Sequence, residues 1–273
     1  MRNRIIEAMP QITTATLMQM KQQGEKIAVL TSYDASFTRL LEKGGVEVIL
    51  VGDSLGMVIQ GQDSTLPVAV GEMVYHTSCV ARVRRSALLI ADMPFMSYSS
   101  AGQALDTAGR LMKDGGAQMV KLEGGATQLE TVRQLTANGI PVCAHLGLLP
   151  QSVHKLGGYR VQGKDPSAAK IMREEALSLE AAGAQMLVLE CVPTPLATDI
   201  SKSLSIPVIG IGAGAGCDGQ VLVVYDMLGI CEGPVPRFVR NFLAHADSIA
   251  GAVEAYVKAV KQGTFPGSKE SFQ

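Results

Sequence analysis

Eight short apolar runs recur along the chain with longer helix-like segments between them, and this rhythm limits the fold more than any other feature. The runs are 26–31 (KIAVLT), 46–51 (VEVILV), 87–92 (ALLIAD), 117–122 (AQMVKL), 140–144 (IPVCA), 185–190 (QMLVLE), 206–210 (IPVIG) and 221–226 (VLVVYD). They lack the polar alternation of a sheet with one wet face, and so predict parallel strands covered on both faces. Segment 35–43 places Phe37, Leu40 and Leu41 at helical spacing. Segments 100–114, 127–138 and 166–182 end near Gly115, Gly139 and Gly183, where a helix-terminating glycine is expected. Asp165 and Pro166 suit the N-cap and first helical position of the last of these. Eight strands in a βα rhythm over about 250 residues predict an α/β protein built as a (β/α)8 TIM barrel. A doubly wound open sheet is the alternative, because closure leaves no mark in a sequence. No linker or change of composition divides the 273 residues, so 1–273 reads as a single catalytic domain. Segments 14–23 and 242–261 read as an N-terminal cap helix and a C-terminal helical extension.

A net charge of −1, with acids and bases scattered, argues against nucleic acid or an anionic membrane as a main partner. A small solute is the better expectation. The opening MRNRIIEAMPQITTATLMQMKQQGEK has no apolar core of a signal peptide, and no stretch approaches the roughly 18 apolar residues of a membrane span. Cys79, Cys143, Cys191, Cys217 and Cys231 are odd in number and lack CxxC spacing. They read as buried free thiols of a cytoplasmic protein. The 13 methionines read as core filler.

Active sites of such barrels lie at the C-terminal ends of the strands. The first six candidate strands end, in order, in Thr31–Asp34, in Asp53 and Ser54, in Asp92, in Lys121 and Glu123, in His145, and in Glu190. One aspartate after a strand is commonly a turn former or N-cap. Asp53, Asp92 and Glu123 come from neighbouring strands, however, and three carboxylates so close repel one another unless a cation neutralises them. Oxygen ligands of this kind select a hard ion such as Mg²⁺. Lys121 shares a strand face with Glu123. It would either balance the acids and bind a substrate carboxylate, or form a plain salt bridge with Glu123. Glu190 ends a strand across the barrel in an apolar setting and suits a general base, unless a barrel Arg or Lys pairs with it. His145 is a possible accessory acid–base group or a structural histidine. The glycine-rich GIGAGAGCDGQ (210–220) comes too late in the chain for a dinucleotide fingerprint. It reads as a loop that approaches a ligand or packs tightly.

The segments LTSYDASF, VGDSLGMVIQGQDSTLPV, ADMPFMSY, VKLEGG, HLGLLPQSV, GGYRVQGK, LVLECVP, GIGAGAGCDGQVLV and FPGSKESF together resemble the ketopantoate hydroxymethyltransferase family, from about residue 13 to the C-terminus. The resemblance implies a barrel of the phosphoenolpyruvate mutase/isocitrate lyase type and hydroxymethyl transfer to 3-methyl-2-oxobutanoate on the route to pantothenate and coenzyme A. It also implies a Mg²⁺ cofactor, 5,10-methylenetetrahydrofolate as one-carbon donor, and a homodecamer of two stacked pentamers. Carried onto matching positions, Asp53, Asp92 and Glu123 become the magnesium acids. Asp53, Ser54, Asp92 and Lys121 surround the keto acid, and Glu190 accepts its proton.

Two other readings compete. A carbon–carbon lyase of the related superfamily would commonly carry a catalytic cysteine in a KKCGH-like loop, and no such segment occurs. A non-catalytic keto-acid sensor would have lost an essential side chain, and every candidate is present. The long polar stretch 60–70 is the expected closing loop.

Overall fold

Eight parallel strands close into a barrel in strict sequential order, β1-β2-β3-β4-β5-β6-β7-β8, with β8 returning to pair with β1. This computed structural model describes residues 10–230, 233 and 235–273. The strands are β1 (Ile27–Thr31), β2 (Val48–Val51), β3 (Leu88–Asp92), β4 (Met119–Glu123), β5 (Val142–Gly147), β6 (Met186–Glu190), β7 (Val208–Ile211) and β8 (Gly219–Leu222). Closure excludes the open-sheet alternative.

The uninterrupted hydrophobicity of the strands has a simple cause. Successive side chains point to opposite faces, and both faces are dry. Ile27 and Val29, Val48 and Leu50, Leu88 and Ile90, Met119, Cys143, Met186 and Val188, Ile209 and Val221 fill the barrel's interior. Their alternate neighbours, such as Ala28, Leu30, Ile49, Leu89 and Leu187, pack outward under the helices.

The helices are α1 (Thr14–Gln23), α2 (Ala35–Lys43), α3 (Leu55–Val58), α4 (Val70–Ala81), α5 (Ala101–Lys113), α6 (Leu129–Ala137), α7 (Val153–Leu156), α8 (Pro166–Ala181), α9 (Thr194–Ser203), α10 (Val224–Leu228) and α11 (Ile249–Lys261). The expected cap helix is α1, whose Leu17 and Met20 join the interior core. Asp165 caps α8 as expected, accepting from Ser167 N and Ala168 N. Gly139 and Gly183 take positive φ at the ends of α6 and α8, but after α5 it is Gly116, not Gly115, that does so.

Two expectations need correction. The eighth strand lies earlier than 221–226, because Gly219 leads it. A Cβ there would collide with the Ile27 carbonyl, so only glycine lets β8 close this near to β1. The chain then turns, Val224 N donating to Thr31 Oγ1, and 224–228 is helical. Nor is 242–261 one helix. A short 3-10 turn, Leu243–His245, precedes α11, which starts afresh at the Ser248 N-cap. The Tyr256 hydroxyl donates to the carbonyls of Val29 and Gln220, so α11 seals the β1–β8 seam from outside and belongs to the helical layer.

Cys143, Cys191 and Cys217 are buried and Cys79 is half-buried, all as free thiols; Cys231 lies outside the described residues. Among the described methionines, Met20, Met73, Met93, Met119, Met172, Met186 and Met227 are buried, but Met57 and Met96 are exposed and are not core; Met1 and Met9 lie outside the described residues. Among the described residues, no helix is long and apolar enough to cross a membrane.

Candidate active site

The inward-facing positions of the strands carry the site. Following the interior residues two by two toward the C-terminal ends, β3 reaches Asp92, β4 Lys121 and Glu123, β5 His145, and β6 Glu190. Register brings these ends together, with Asp92 opposite Lys121 and Glu123 opposite His145. Asp53 comes from the turn after β2, one residue past Gly52, and its N–H donates to Asp92 Oδ2 at 3.1 Å. The structure therefore gathers the ionisable residues suggested at the ends of strands two to six, whereas Asp34, after the first strand, caps α2 instead, accepting from Ser36 N and Phe37 N.

Asp53, Asp92, Lys121, Glu123 and His145 are all buried, between 2 and 6 % exposed. Glu190 is slightly more open, its side chain 14 % exposed. Lys121 Nζ donates to Asp92 Oδ1 at 2.6 Å, so its ion-pair partner is Asp92 rather than Glu123. Burial lowers the pKa of Lys121, but Asp92, Glu123 and Asp53 more than offset it and raise it overall. His145 stands between two acids, with Nδ1 3.5 Å from Glu123 Oε1 and Nε2 3.3 Å from Glu190 Oε2. Neither contact has hydrogen-bond geometry. Burial and Lys121 push the imidazole toward neutrality; Glu123 and Glu190 outweigh them and hold its pKa up at about 9. Glu190 thus has a histidine beside it, not the barrel Arg or Lys that would have made it a structural ion.

Three neutral residues of the site escaped the search for charged groups. Tyr33 is buried after β1, and its hydroxyl lies 2.8 Å from Ser54 Oγ, fixing the serine at the start of α3. Gln151, in the 3-10 turn after β5, sends its Nε2 to Asp53 Oδ2 at 2.8 Å and its backbone N–H to Glu123 Oε2 at 3.0 Å. Tyr98, from the loop after β3, donates to Gln151 Oε1, and its oxygen accepts the Glu123 N–H at 3.3 Å. Tyr33 lies within the Thr31–Asp34 strand end and in LTSYDASF; for Gln151, in HLGLLPQSV, and Tyr98, in ADMPFMSY, the family segment is the signal that could have marked them.

Four carboxylates share the barrel mouth with Lys121 and His145. Asp53 shows the imbalance: burial first, then the charges of Asp92 and Glu123, push its pKa up to about 8. A bound cation would relieve that excess, and an all-oxygen donor set suits a hard divalent ion. Among the described residues, no three His, Cys, Asp or Glu side chains converge into a ready-made metal cage. An ion such as Mg²⁺ does not demand one, because it commonly takes one or two carboxylates and completes its shell with water and substrate.

Beside the acids opens a cavity of about 560 Å³, whose lining includes the polar Glu123, Tyr98 and Gln151 and the apolar Leu149, Ile171 and Met172. Tyr159, in the segment after α7, brings its hydroxyl to 4.0 Å from Met57 Sδ across the mouth. The glycine-rich 210–220 is a packing device. A Cβ on Gly214 would press on Thr194, and one on Gly216 would collide with Thr198 Oγ1.

Comparison with known proteins places this site in context. The family model described as ketopantoate hydroxymethyltransferase matches residues 11–268. The 3-methyl-2-oxobutanoate hydroxymethyltransferase of Halorhodospira halophila is 57% identical over 262 residues, covering 96% of this chain and 95% of that one. The protein of the same name from Nitrosococcus oceani is 60% identical over 258 residues, covering 94% and 98%. Among solved structures, 2,3-dimethylmalate lyase, a PEP mutase/isocitrate lyase superfamily member, aligns with a TM-score of 0.58 at 16% identity over 81% of each chain. At that identity the likeness speaks to the barrel alone.

Proposed function

The chain belongs to the ketopantoate hydroxymethyltransferase family, and from that membership we propose how its barrel mouth transfers a hydroxymethyl group to 3-methyl-2-oxobutanoate. The product is ketopantoate, a precursor of pantothenate and coenzyme A, and 5,10-methylenetetrahydrofolate is the one-carbon donor. The observation that carries the reading is identity of 57–60% across nearly the whole chain, joined to a barrel mouth in which buried acids face a lysine.

Asp53 and Asp92, with Glu123, would hold a Mg²⁺ ion, whose Lewis acidity supplies stabilisation for negative charge on the keto oxygen. Lys121 and Ser54 bind the substrate carboxylate, the one as a buried cation held by Asp92, the other as a hydroxyl steadied by Tyr33. Glu190 removes the proton from C3, leaving the enolate. His145 lies beside Glu190, with Nε2 3.3 Å from Oε2, and borders the group to which the proton is assigned. The enolate carbon bonds to the methylene carbon of the folate as one of its two C–N bonds opens. Water then displaces the second nitrogen and supplies the hydroxyl. The proton taken by Glu190 and one from the water go to the two folate nitrogens as ketopantoate and tetrahydrofolate leave. The cavity beside Glu123 falls within the roughly 300–1,000 Å³ common for small-molecule sites, which supports room for the donor.

The same reading makes 1–273 one catalytic domain, acting in the cytoplasm as a homodecamer. Light scattering on the eluted protein would then give ten times the 28.8 kDa chain mass. The activity is tested by NMR of 3-methyl-2-oxobutanoate in D₂O. Exchange at C3 with Mg²⁺ but not with EDTA, then ketopantoate on adding the folate, is the expected result. Binding of the keto acid with neither exchange nor product would overturn it.

A further inference from the structure

Gln151 is almost wholly buried, and all of its amide's principal polar contacts are inside the site. Nε2 donates to Asp53 Oδ2 at 2.8 Å and to the Met93 carbonyl at 3.0 Å, while Oε1 accepts from the Tyr98 hydroxyl. A carbonyl oxygen can only accept, so Met93 fixes which end of the amide faces Asp53. The Tyr98 hydroxyl, as donor to Oε1, completes the orientation from the other side. The backbone N–H of the same glutamine donates to Glu123 Oε2. One residue after β5 therefore grips an acid from the turn after β2 and an acid at the end of β4. Burying a neutral amide among carboxylates is costly unless each of its polar groups is matched, and here each is.

The geometry points to Gln151 as a positioning residue that sets Asp53 and Glu123 for a divalent cation, with Tyr98 acting through it. This rests on the cation reading given above. Partners that orient metal-binding carboxylates typically change metal affinity by 10–100-fold when lost.

The test is titration of the full-length protein with Mn²⁺ alone, followed by electron paramagnetic resonance, with thermal unfolding in EDTA as the control for folding. Gln151→Met, similar in volume, should weaken Mn²⁺ about 10–100-fold and leave the EDTA unfolding cooperative. Tyr98→Phe removes only the hydroxyl and should weaken Mn²⁺ by a smaller factor. Combined with Gln151→Met it should add less than it does alone, because its hold on the Gln151 amide is already gone and only its contact with the Glu123 N–H remains. Wild-type Mn²⁺ affinity in folded Gln151→Met would overturn the proposal, as would losses that multiply in the double variant. If Gln151→Met does not fold, Tyr98→Phe decides, and unchanged affinity there overturns it. No Mn²⁺ binding by the wild type would instead bring down the cation reading itself, and this proposal with it.

Discussion

His145 and Glu190, neighbours on adjacent strands, bring Nε2 and Oε2 to 3.3 Å at the C-terminal mouth of the barrel, above an apolar layer that includes Met119, Met186 and Val188. The imidazole is held protonated by that carboxylate and by Glu123 on its other side, against burial and Lys121. Glu190 is the more open of the acids, its side chain 14 % exposed, and so the one that an entering substrate reaches first.

Glu190→Gln should therefore leave keto-acid and metal binding intact while slowing C3 exchange by roughly 10²–10⁴-fold, the usual contribution of a positioned base. Isothermal titration gives the first quantity and deuterium incorporation the second. Exchange at the wild-type rate in this variant would take the role of base away from Glu190.

Lys121 and Asp92 form an ion pair with both side chains at most 7 % exposed. Removing one partner of a buried pair strands the other, at a cost of about 3–5 kcal/mol. Lys121→Met should lower the thermal midpoint sharply, and Lys121→Met/Asp92→Asn should recover part of the loss by removing the orphaned charge. A double variant no more stable than the single would mean that the pair is not what the fold depends on there.

Gly216 shows why a glycine-rich segment need not bind a nucleotide. Its missing side chain makes room for Thr198 on α9. Gly216→Ala should destabilise by about 1–3 kcal/mol, the range for overpacking, and Thr198→Ala should restore part of it. Urea unfolding measures both. A stable Gly216→Ala variant with impaired keto-acid binding would assign the loop to the substrate instead.

The barrel was legible because apolar strands without alternation have few other uses, and five of the six ionisable groups could be read by counting in twos. Asp92, Lys121, Glu123, His145 and Glu190 continue the inward positions begun by Ile90, Met119, Cys143 and Val188. Asp53 breaks that parity and was visible only as an acid just past a strand. Strand β8 was misplaced because its apolar run continues into α10, while the residue that fixes its start, Gly219, carries no hydrophobic signal. Gln151 and Tyr98 were missed for a different reason. A neutral amide and a phenol become informative only when three loops meet, and periodicity within one segment holds no trace of that meeting.

Asp53 offers a test that does not depend on turnover. Its ordinary pKa is 3.8 and in the fold it stands at about 8, raised by burial and then by Asp92 and Glu123. A carboxyl raised in this way binds its proton more tightly folded than unfolded, so between those two values folding takes up a proton and stability falls as pH rises. The penalty is absent below about pH 4 and complete above about pH 8. Asp53→Asn has no such group. In EDTA, its thermal midpoint relative to wild type should climb through this window and then level off. Mg²⁺ should close the gap at high pH by stabilising the wild type alone, since a ligand that binds only the folded form raises its stability. A difference between the two proteins that stays flat from pH 4 to pH 8 would show that Asp53 is not the strained acid of the site, and a gap that Mg²⁺ leaves open would show that the strain is not relieved by the cation.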